Sequence, residues 1–162
     1  MLRMAVLGCG RIGQMHAANV ARHPRAALAG VYDLHQPSAD KVATAQGVPA
    51  FSTAEEVFES PQVDAVLIAT ATPTHADYIE MAIAAGKAVL CEKPIDLNLA
   101  RVNACAARIK GTKLPIQLGF NRRCDPGHSA ARSAMLAGDI GDLHQVIITS
   151  RDPGLPPKAY LE

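Results

Sequence analysis

The sequence predicts an α/β fold with a doubly wound parallel sheet, followed by the start of a second, α+β domain. Three observations support this prediction. Short apolar runs recur up to about residue 120 and do not alternate with polar residues, as in parallel strands covered on both faces. Ala-rich segments with helical periodicity separate these runs. A glycine-rich loop, VLGCGRIG, lies between the first run and the first helical segment.

Strands and helices alternate regularly in this first part of the chain, as a parallel sheet with crossover helices requires. The five apolar runs predict strands over 4–8, 27–33, 64–70, 87–93 and 114–120. The segments between and after them predict helices over 13–22, 37–46, 53–59, 75–85 and about 97–110. Three ends are marked by local signals. Thr53 (or Ser52), followed by two glutamates, is typical of a helix start, whereas Gly47 and Gly86 are typical of helix ends.

The pattern changes after Phe120, where we place a domain boundary. Residues 121–141 predict a loop and one helix, 143–151 predict a further strand, and the remaining residues are rich in proline. A single strand cannot form a domain by itself. We therefore expect residues 1–120 to form one domain and residues 121–162 to be the beginning of a second, C-terminal domain.

Composition excludes several classes of protein. The chain has 162 residues, of which 49% are hydrophobic and 19% charged, with a net charge of +1. This is a globular mixture without the excess of cations that a nucleic-acid partner requires. No apolar stretch is long enough for a signal peptide or a membrane span. The four cysteines lack C-x-x-C spacing and the histidines lack metal-ligand spacing. We therefore expect a cytoplasmic protein with reduced thiols, no metal, no membrane and no nucleic acid.

The glycine loop predicts a dinucleotide site. Gly8, Gly10 and Gly13 have the spacing G-x-G-x-x-G, which lets amides at a helix start approach a pyrophosphate. Asp33 ends the second strand, 20 residues beyond Gly13. A carboxylate there accepts hydrogen bonds from the ribose hydroxyls and repels a 2′-phosphate, so NAD is favoured over NADP. The alternative is a tight turn that binds nothing.

The segment ATATPTH follows the strand predicted over 64–70. Ligands of an open parallel sheet lie beyond the carboxyl ends of its strands, so Thr70, Thr72, Pro73 and His75 are expected to line the cofactor. The alternative makes Thr74 a helix cap and His75 an exposed residue of the first helical turn. The sequence leaves both interpretations open for His75.

Lys93 lies at the end of the strand predicted over 87–93 and is followed by Pro94, so the bond between them is a candidate for the cis isomer. A partly desolvated lysine at this place can assist proton transfer from a hydroxyl group. The alternative is a solvated turn with no chemical role.

Arg122, Arg123 and Asp125 lie just beyond the last strand of the first domain. The two guanidinium groups could bind the hydroxyl groups of a polar substrate. A surface ion-pair cluster is an equally good interpretation. His16, His23, His128 and His144 are given no chemical role.

Five segments, taken together, resemble the Gfo/Idh/MocA oxidoreductases, which include glucose-fructose oxidoreductase and inositol dehydrogenases. They are VLGCGRIG, Asp33, ATPTHADY, CEKP and GFNRR, in this order and at these intervals. With TSRDP, the segment GFNRRCDP is most similar to the myo-inositol dehydrogenase branch. The resemblance covers the whole chain.

The resemblance implies that residues 1–120 form an NAD-binding Rossmann domain and that residues 121–162 begin a C-terminal domain for substrate binding and oligomerisation. It also implies NAD-dependent oxidation of a ring secondary alcohol of a polyol. It places Arg11 and Ile12 beside the pyrophosphate. It implies that Glu92 and Pro94 flank a lysine that contacts both substrate and nicotinamide. It also implies that Arg123 and Asp152 lie near the polyol.

The resemblance further implies a catalytic Asp and His on a helix of the second domain, beyond the residues of this sequence. We therefore expect the 162-residue chain to bind NADH without catalysis and to associate through its C-terminal part, and we expect a homo-oligomer at full length. Two alternatives stay open. One is a non-catalytic NAD-binding module, and the other is a dehydrogenase of scyllo-inositol or another sugar.

Overall fold

The computed structural model describes residues 1–151 and residue 154, which belong to two compact units, Met1–Phe120 and Asn121–Glu162. The strands are β1 (Leu2–Leu7), β2 (Ala26–Tyr32), β3 (Ala65–Ile68), β4 (Ala88–Cys91) and β5 (Ile116–Leu118). The helices are α1 (Arg11–Arg22), α2 (Gln36–Gln46), α3 (Ala54–Glu59), α4 (His75–Ala84), α5 (Leu99–Ile109) and α6 (Pro126–Ala137). In the part of the chain that the structure describes, each helix is too short or too polar to cross a lipid bilayer.

All five strands are parallel, in the order β2-β1-β3-β4-β5. The chain leaves β1 toward one edge of the sheet and returns to build the other edge from β3 onward. The carboxyl ends of β1 and β3 therefore enclose the point at which the strand order reverses, where open α/β sheets bind ligands. The prediction of a doubly wound parallel sheet is confirmed.

A single residue extends the sheet beyond β2, at a position where no strand is predicted. Ala50 forms an isolated parallel bridge with Val31. Gly30 makes this possible, since a Cβ atom there would lie 2.5 Å from the Phe51 ring and 2.9 Å from the carbonyl oxygen of Pro49. One bridge residue is too short to leave a periodic signal in the sequence.

The core lies on both faces of the sheet, and alternate strand residues supply each face. Leu7 and Ile68 are completely buried against Ile79 of α4. Val6 and Leu67 are buried on the opposite face, where they pack with residues of α1 and α2. The continuous apolar runs of β1 and β3 are thus explained by burial on two faces.

Helices of the unit Met1–Phe120 do not cover both faces of the sheet at β4 and β5. The prediction that these two strands are buried on both faces is therefore wrong. Leu90 is only partly buried and Gln117 is exposed. Near Leu90, an apolar cavity of about 470 Å³ opens on the α1 side of the sheet. α1 and α2 pack against β1 and β2, and no helix of the unit Met1–Phe120 covers the rest of this face.

The second unit contains α6, which begins where Asp125 accepts a hydrogen bond from the His128 backbone nitrogen at 3.0 Å. Gly138 ends α6 in the left-handed conformation. The strand predicted over 143–151 is wrong, because these residues form no ladder with any described part of the chain. An isolated apolar segment has no partner for its backbone hydrogen bonds and cannot become a strand.

Candidate functional site

The predicted site residues of the first unit gather at the carboxyl edge of the sheet. The glycine loop follows β1, Asp33 follows β2, the segment 69–75 follows β3, and Glu92 and Lys93 follow β4. Parallel strands bring these ends to one edge although they are far apart in sequence.

Two of the three loop glycines are required by packing. Gly8 has φ +94°, and a Cβ atom there would lie 2.4 Å from the carbonyl oxygen of Ala69. A Cβ atom on Gly13 would lie 1.8 Å from the carbonyl oxygen of Gly8. These glycines let the loop fold back against α1 and against the end of β3.

Gly10 differs, because a Cβ atom there would meet no described atom within 4 Å. It is the N-cap residue of α1 and offers no side chain to the free amides of the first turn. That turn contains no acidic residue, and Arg11 and Ile12 lie in it. Free amides, the helix dipole and open space fit a pyrophosphate.

Asp33 is tied to the glycine loop. Its Oδ2 accepts a 2.6 Å hydrogen bond from the backbone nitrogen of Cys9, and its Oδ1 accepts one from His35 at 2.8 Å. A carboxylate has about four acceptor sites, so each oxygen keeps one for a ribose hydroxyl. The carboxylate therefore fits its predicted ribose role while it also holds the loop.

A cavity of about 170 Å³ lies beside Asp33, between the ends of β2 and β3. Tyr32, Leu34, Thr70 and Tyr78 contribute to its wall. Burial, together with a hydrogen bond to Tyr32, raises the pKa of Tyr78 to about 12. This phenol is therefore neutral, and its ring can pack against a flat aromatic group such as a purine.

The threonines after β3 bond to one another. Thr70 Oγ1 lies 2.7 Å from Thr74 Oγ1, and Thr74 Oγ1 donates to the carbonyl oxygen of Ala71 at 2.8 Å. Thr74 precedes α4, but its hydroxyl makes no capping bond with that helix. Thr72 and Pro73 form a 3₁₀ turn at the edge of the sheet. Contact of Thr70, Thr72 or Pro73 with a cofactor stays a prediction.

His75 is not the exposed residue of the alternative interpretation, because only 2% of it is exposed. Its Nδ1 lies 2.7 Å from the carbonyl oxygen of Pro94, and its Nε2 lies 3.0 Å from that of Thr70. Each ring nitrogen thus lies within hydrogen-bond distance of a backbone carbonyl oxygen, and these two oxygens belong to neighbouring strand ends. This placement favours a supporting role over the predicted place in the cofactor wall.

Lys93 projects from the end of β4, and the Lys93–Pro94 bond is cis, as predicted. The predicted partial desolvation of Lys93 is wrong for this unit, since the residue is exposed. No element of the unit Met1–Phe120 covers this part of the sheet edge. Lys93 is therefore accessible to a ligand that lies on the edge.

Sequence reasoning missed His16. Its Nε2 lies 2.9 Å from Glu92 Oε1, which joins the second turn of α1 to the end of β4. The available signal was position, since His16 lies three residues after the buried Gly13 and so near the same face of α1. The distance to residue 92 in the sequence hides the pairing.

Buried thiols lie close to the site but are poor nucleophiles. Burial, and to a smaller extent the negative charge of Asp33, raises the pKa of the Cys9 thiol to about 12. Burial, and to a smaller extent the negative charge of Glu92, raises the pKa of the Cys91 thiol to about 12. Neither thiol forms the reactive thiolate near neutral pH, so both act as small apolar side chains.

The arginine cluster lies in the second unit. Arg122 Nη1 is 3.8 Å from Asp125 Oδ2, and His128 Nδ1 is 2.9 Å from Asp125 Oδ1, so an exposed ion-pair cluster is present. Arg123 and Arg132 contribute to a polar cavity of about 480 Å³ in this unit. The substrate role of Arg123 stays a prediction, and Asp152 lies outside the described residues.

Residues 2–120 match the family model GFO_IDH_MocA, described as an oxidoreductase family with an NAD-binding Rossmann fold. The inositol 2-dehydrogenase of Rhizobium meliloti (strain 1021) is 44% identical over 161 residues, which are 99% of this chain and 48% of that protein.

Solved structures show the same likeness. A myo-inositol dehydrogenase from Corynebacterium glutamicum ATCC 13032 gives a TM-score of 0.93 at 41% identity, over 99% of this chain and 48% of that one. A scyllo-inositol dehydrogenase from Lactobacillus casei, solved with NAD(H) and scyllo-inositol, gives 0.83 at 31% identity, over 88% of this chain and 43% of that one. The chain thus spans about half the length of the relatives it matches.

Proposed function

The chain belongs to the GFO_IDH_MocA oxidoreductase family, and from this premise we propose that it carries the NAD-binding part of an enzyme that oxidises a ring secondary alcohol of a polyol, such as myo-inositol, to the ketone. One observation carries the proposal. Three features lie along one edge of the sheet: the open space beside Gly10, the carboxylate of Asp33 and the exposed side chain of Lys93. A dinucleotide and a substrate bound along this edge would therefore lie next to each other.

The residues of the first unit would hold the dinucleotide at three places. Free amides of the first turn of α1, at Arg11 and Ile12, donate hydrogen bonds to the pyrophosphate. Asp33 accepts hydrogen bonds from the adenosine ribose, and the cavity beside Leu34 and Tyr78 receives the adenine. NAD held by these residues would supply the acceptor for the hydride that the carbinol carbon of the substrate loses.

Lys93 would act on the hydroxyl oxygen of the substrate. Oxidation of a secondary alcohol removes a hydride from carbon and a proton from oxygen. The Lys93 ammonium would donate a hydrogen bond to that oxygen and stabilise its negative charge, while the His that the family resemblance implies in the second domain would take the proton. Arg123 and Asp152 would bind other hydroxyl groups of the polyol, Arg123 as donor and Asp152 as acceptor.

A binding experiment tests the cofactor half of the proposal. The chain should bind NADH in a fluorescence titration, since the loop, Asp33 and the ends of β3 and β4 all lie before residue 120. The 162 residues should not reduce NAD with myo-inositol. Clear turnover by this chain would show that catalysis does not need the Asp and His that the resemblance implies in the second domain.

A kinetic experiment tests Lys93 in a chain of the relatives' full length that carries these residues. Lys93→Met should lower kcat with myo-inositol by about two to four orders of magnitude and leave NADH affinity nearly unchanged. Lys110→Met, which removes an exposed lysine after α5, is the control. Turnover of Lys93→Met within a few fold of the parent would return Lys93 to the solvated-turn interpretation.

Two other functions are separated by the same assays. A non-catalytic NAD-binding module would bind NADH and give no turnover with any polyol at full length. A dehydrogenase of scyllo-inositol or another sugar would show a higher kcat/KM with that substrate than with myo-inositol in a substrate panel. The likeness to the Lactobacillus casei enzyme makes scyllo-inositol the first substrate to compare.

A further inference from the structure

Two histidines from different helices contact the segment that carries Lys93, one on each side of it. His16, in α1, lies 2.9 Å from the Glu92 carboxylate on the N-terminal side. His75, the first residue of α4, lies 2.7 Å from the carbonyl oxygen of Pro94 on the C-terminal side. The segment from Glu92 to Pro94 is therefore held at both of its ends.

Water competes for the groups that form these two contacts, and it reaches them to different degrees. His75 is almost completely buried. The side chains of His16 and Glu92 are only 19% and 24% exposed. The contact of His75 is therefore the better protected of the two.

The packing around Glu92 restricts its carboxylate further. A Cβ atom on Gly119 would lie 3.2 Å from this carboxylate, so the glycine at the end of β5 leaves the space that Glu92 occupies. The second oxygen, Oε2, accepts a 3.3 Å hydrogen bond from the backbone nitrogen of Lys93. His16 thus fixes a carboxylate that in turn contacts the backbone of Lys93.

His75 connects the other side of the segment to the end of β3. Its second ring nitrogen lies 3.0 Å from the carbonyl oxygen of Thr70. The carbonyl groups of Thr70 and Pro94 therefore converge on one buried ring. A change in the ring would alter the spacing between the two strand ends.

The side chain of Lys93 is exposed, and within the described residues its ammonium has no hydrogen-bond partner. The backbone therefore sets only the direction in which the Cα–Cβ bond of Lys93 leaves the chain. We propose that His16 and His75 are positioning residues that hold the Glu92–Pro94 backbone so that Lys93 points over the sheet edge. This inference rests on the proposed function, because it supposes that Lys93 acts on a substrate.

The test measures the backbone directly and needs no turnover. Amide hydrogen exchange of Lys93, followed by NMR, is compared in the parent, His16→Leu and His16→Gln. Leucine fills the space without a donor, whereas the Gln amide donates from a place close to that of Nε2. We expect exchange about tenfold faster in His16→Leu, with near-parent exchange in His16→Gln.

His75→Leu and His75→Asn form the second pair, since the Asn amide donates from a place close to that of Nδ1. His144→Gln, at an exposed position of the second unit, is the control. If His75→Leu does not fold, the His16 pair decides alone. Equal exchange in His16→Leu and His16→Gln, or faster exchange throughout β1 and β2, would overturn the proposal.

The two proposals can fail separately. Unchanged turnover in Lys93→Met would reject the chemical role of Lys93 but would leave the exchange results intact. Equal exchange in the Leu and Gln variants would reject the positioning role and would leave the kinetic result for Lys93 intact.

Discussion

The backbone nitrogen of Cys9 donates a 2.6 Å hydrogen bond to Oδ2 of Asp33. This bond joins the glycine loop after β1 to the residue that follows β2. One carboxylate therefore shapes the surface that would receive the pyrophosphate and also faces the place expected for the ribose. A substitution of Asp33 should act on both.

Asp33→Ala should change cofactor affinity in two ways. The parent should bind NADH more tightly than NADPH, because the carboxylate repels a 2′-phosphate, and the variant should narrow this gap. The variant should also bind NADH about tenfold or more weakly, since the hydrogen bonds to the loop and the ribose are lost. Fluorescence titration with both cofactors measures this.

The control is Asp40→Ala, which removes an exposed carboxylate from α2. It should leave the preference for NADH unchanged. Equal affinity of the parent for the two cofactors would contradict the role of Asp33.

Gly13→Ala should act mainly on stability, whereas Gly10→Ala should act mainly on NADH binding. A Cβ atom on Gly13 would overlap the carbonyl oxygen of Gly8, so Gly13→Ala should lower the free energy of unfolding by more than about 3 kcal/mol. A Cβ atom on Gly10 meets open space, so Gly10→Ala should lower it by at most about 1 kcal/mol, the worth of an N-cap preference.

Gly10→Ala should nevertheless bind NADH roughly tenfold more weakly, because its methyl group would occupy the approach to the free amides. Urea unfolding and NADH titration of both variants measure the two effects. Parent-like affinity in Gly10→Ala would mean that the pyrophosphate does not lie at this helix start.

Thiol reactivity should distinguish one cysteine from three. Cys9, Cys91 and Cys105 are buried, and burial raises the pKa of each of these thiols. Cys124 is exposed. Ellman's reagent at pH 8 should therefore label one thiol rapidly in the native chain and the other three only after unfolding.

Cys124→Ser is the matching control and should abolish the rapid phase. Two or more rapid thiols in the parent would show that a buried cysteine becomes accessible through local opening.

The ion pair between Arg3 and Asp64 should make the free energy of unfolding depend on pH in the acidic range. Hydrogen bonds from the Arg3 side chain, and then from its backbone nitrogen, hold the pKa of Asp64 well below its usual value. A lowered pKa in the folded state stabilises that state at pH values above the unfolded pKa of about 3.9. This contribution is lost as the pH falls below that value toward the lower folded pKa.

Asp64→Asn should therefore have a lower Tm than the parent at pH 7, and the difference should shrink as the pH falls below about 4. Asp40→Asn, which removes an exposed carboxylate of α2, should show a much smaller difference at pH 7. A difference between parent and Asp64→Asn that stays constant from pH 7 to pH 3 would show that the charge of Asp64 does not carry the effect.

Local signals were sufficient for most of the first unit. The predicted helix starting near Thr53 begins at Ala54, and Thr53 caps it by accepting a 3.2 Å hydrogen bond from the Glu56 backbone nitrogen. Gly47 ends α2 in the left-handed conformation. Such signals act within a few residues, so they can be read without knowledge of the tertiary structure.

The strand predicted over 143–151 shows what local sequence signals cannot predict. Val146, Ile147 and Ile148 have the composition of a strand and remain exposed in the structure. A strand depends on a neighbour for its backbone hydrogen bonds, and composition does not show whether that neighbour is present.

The sequence by itself determined the α/β class, the order of the strands along the chain, the glycine loop and the position of Asp33, because periodicity and glycine spacing depend only on near neighbours in the chain. Only the tertiary structure decided that His16 contacts Glu92, that His75 is buried between Thr70 and Pro94, and that Asp33 holds Cys9. Parallel strands bring residues up to 76 positions apart to one sheet edge, and which side chains then come within hydrogen-bond distance depends on sheet order and register.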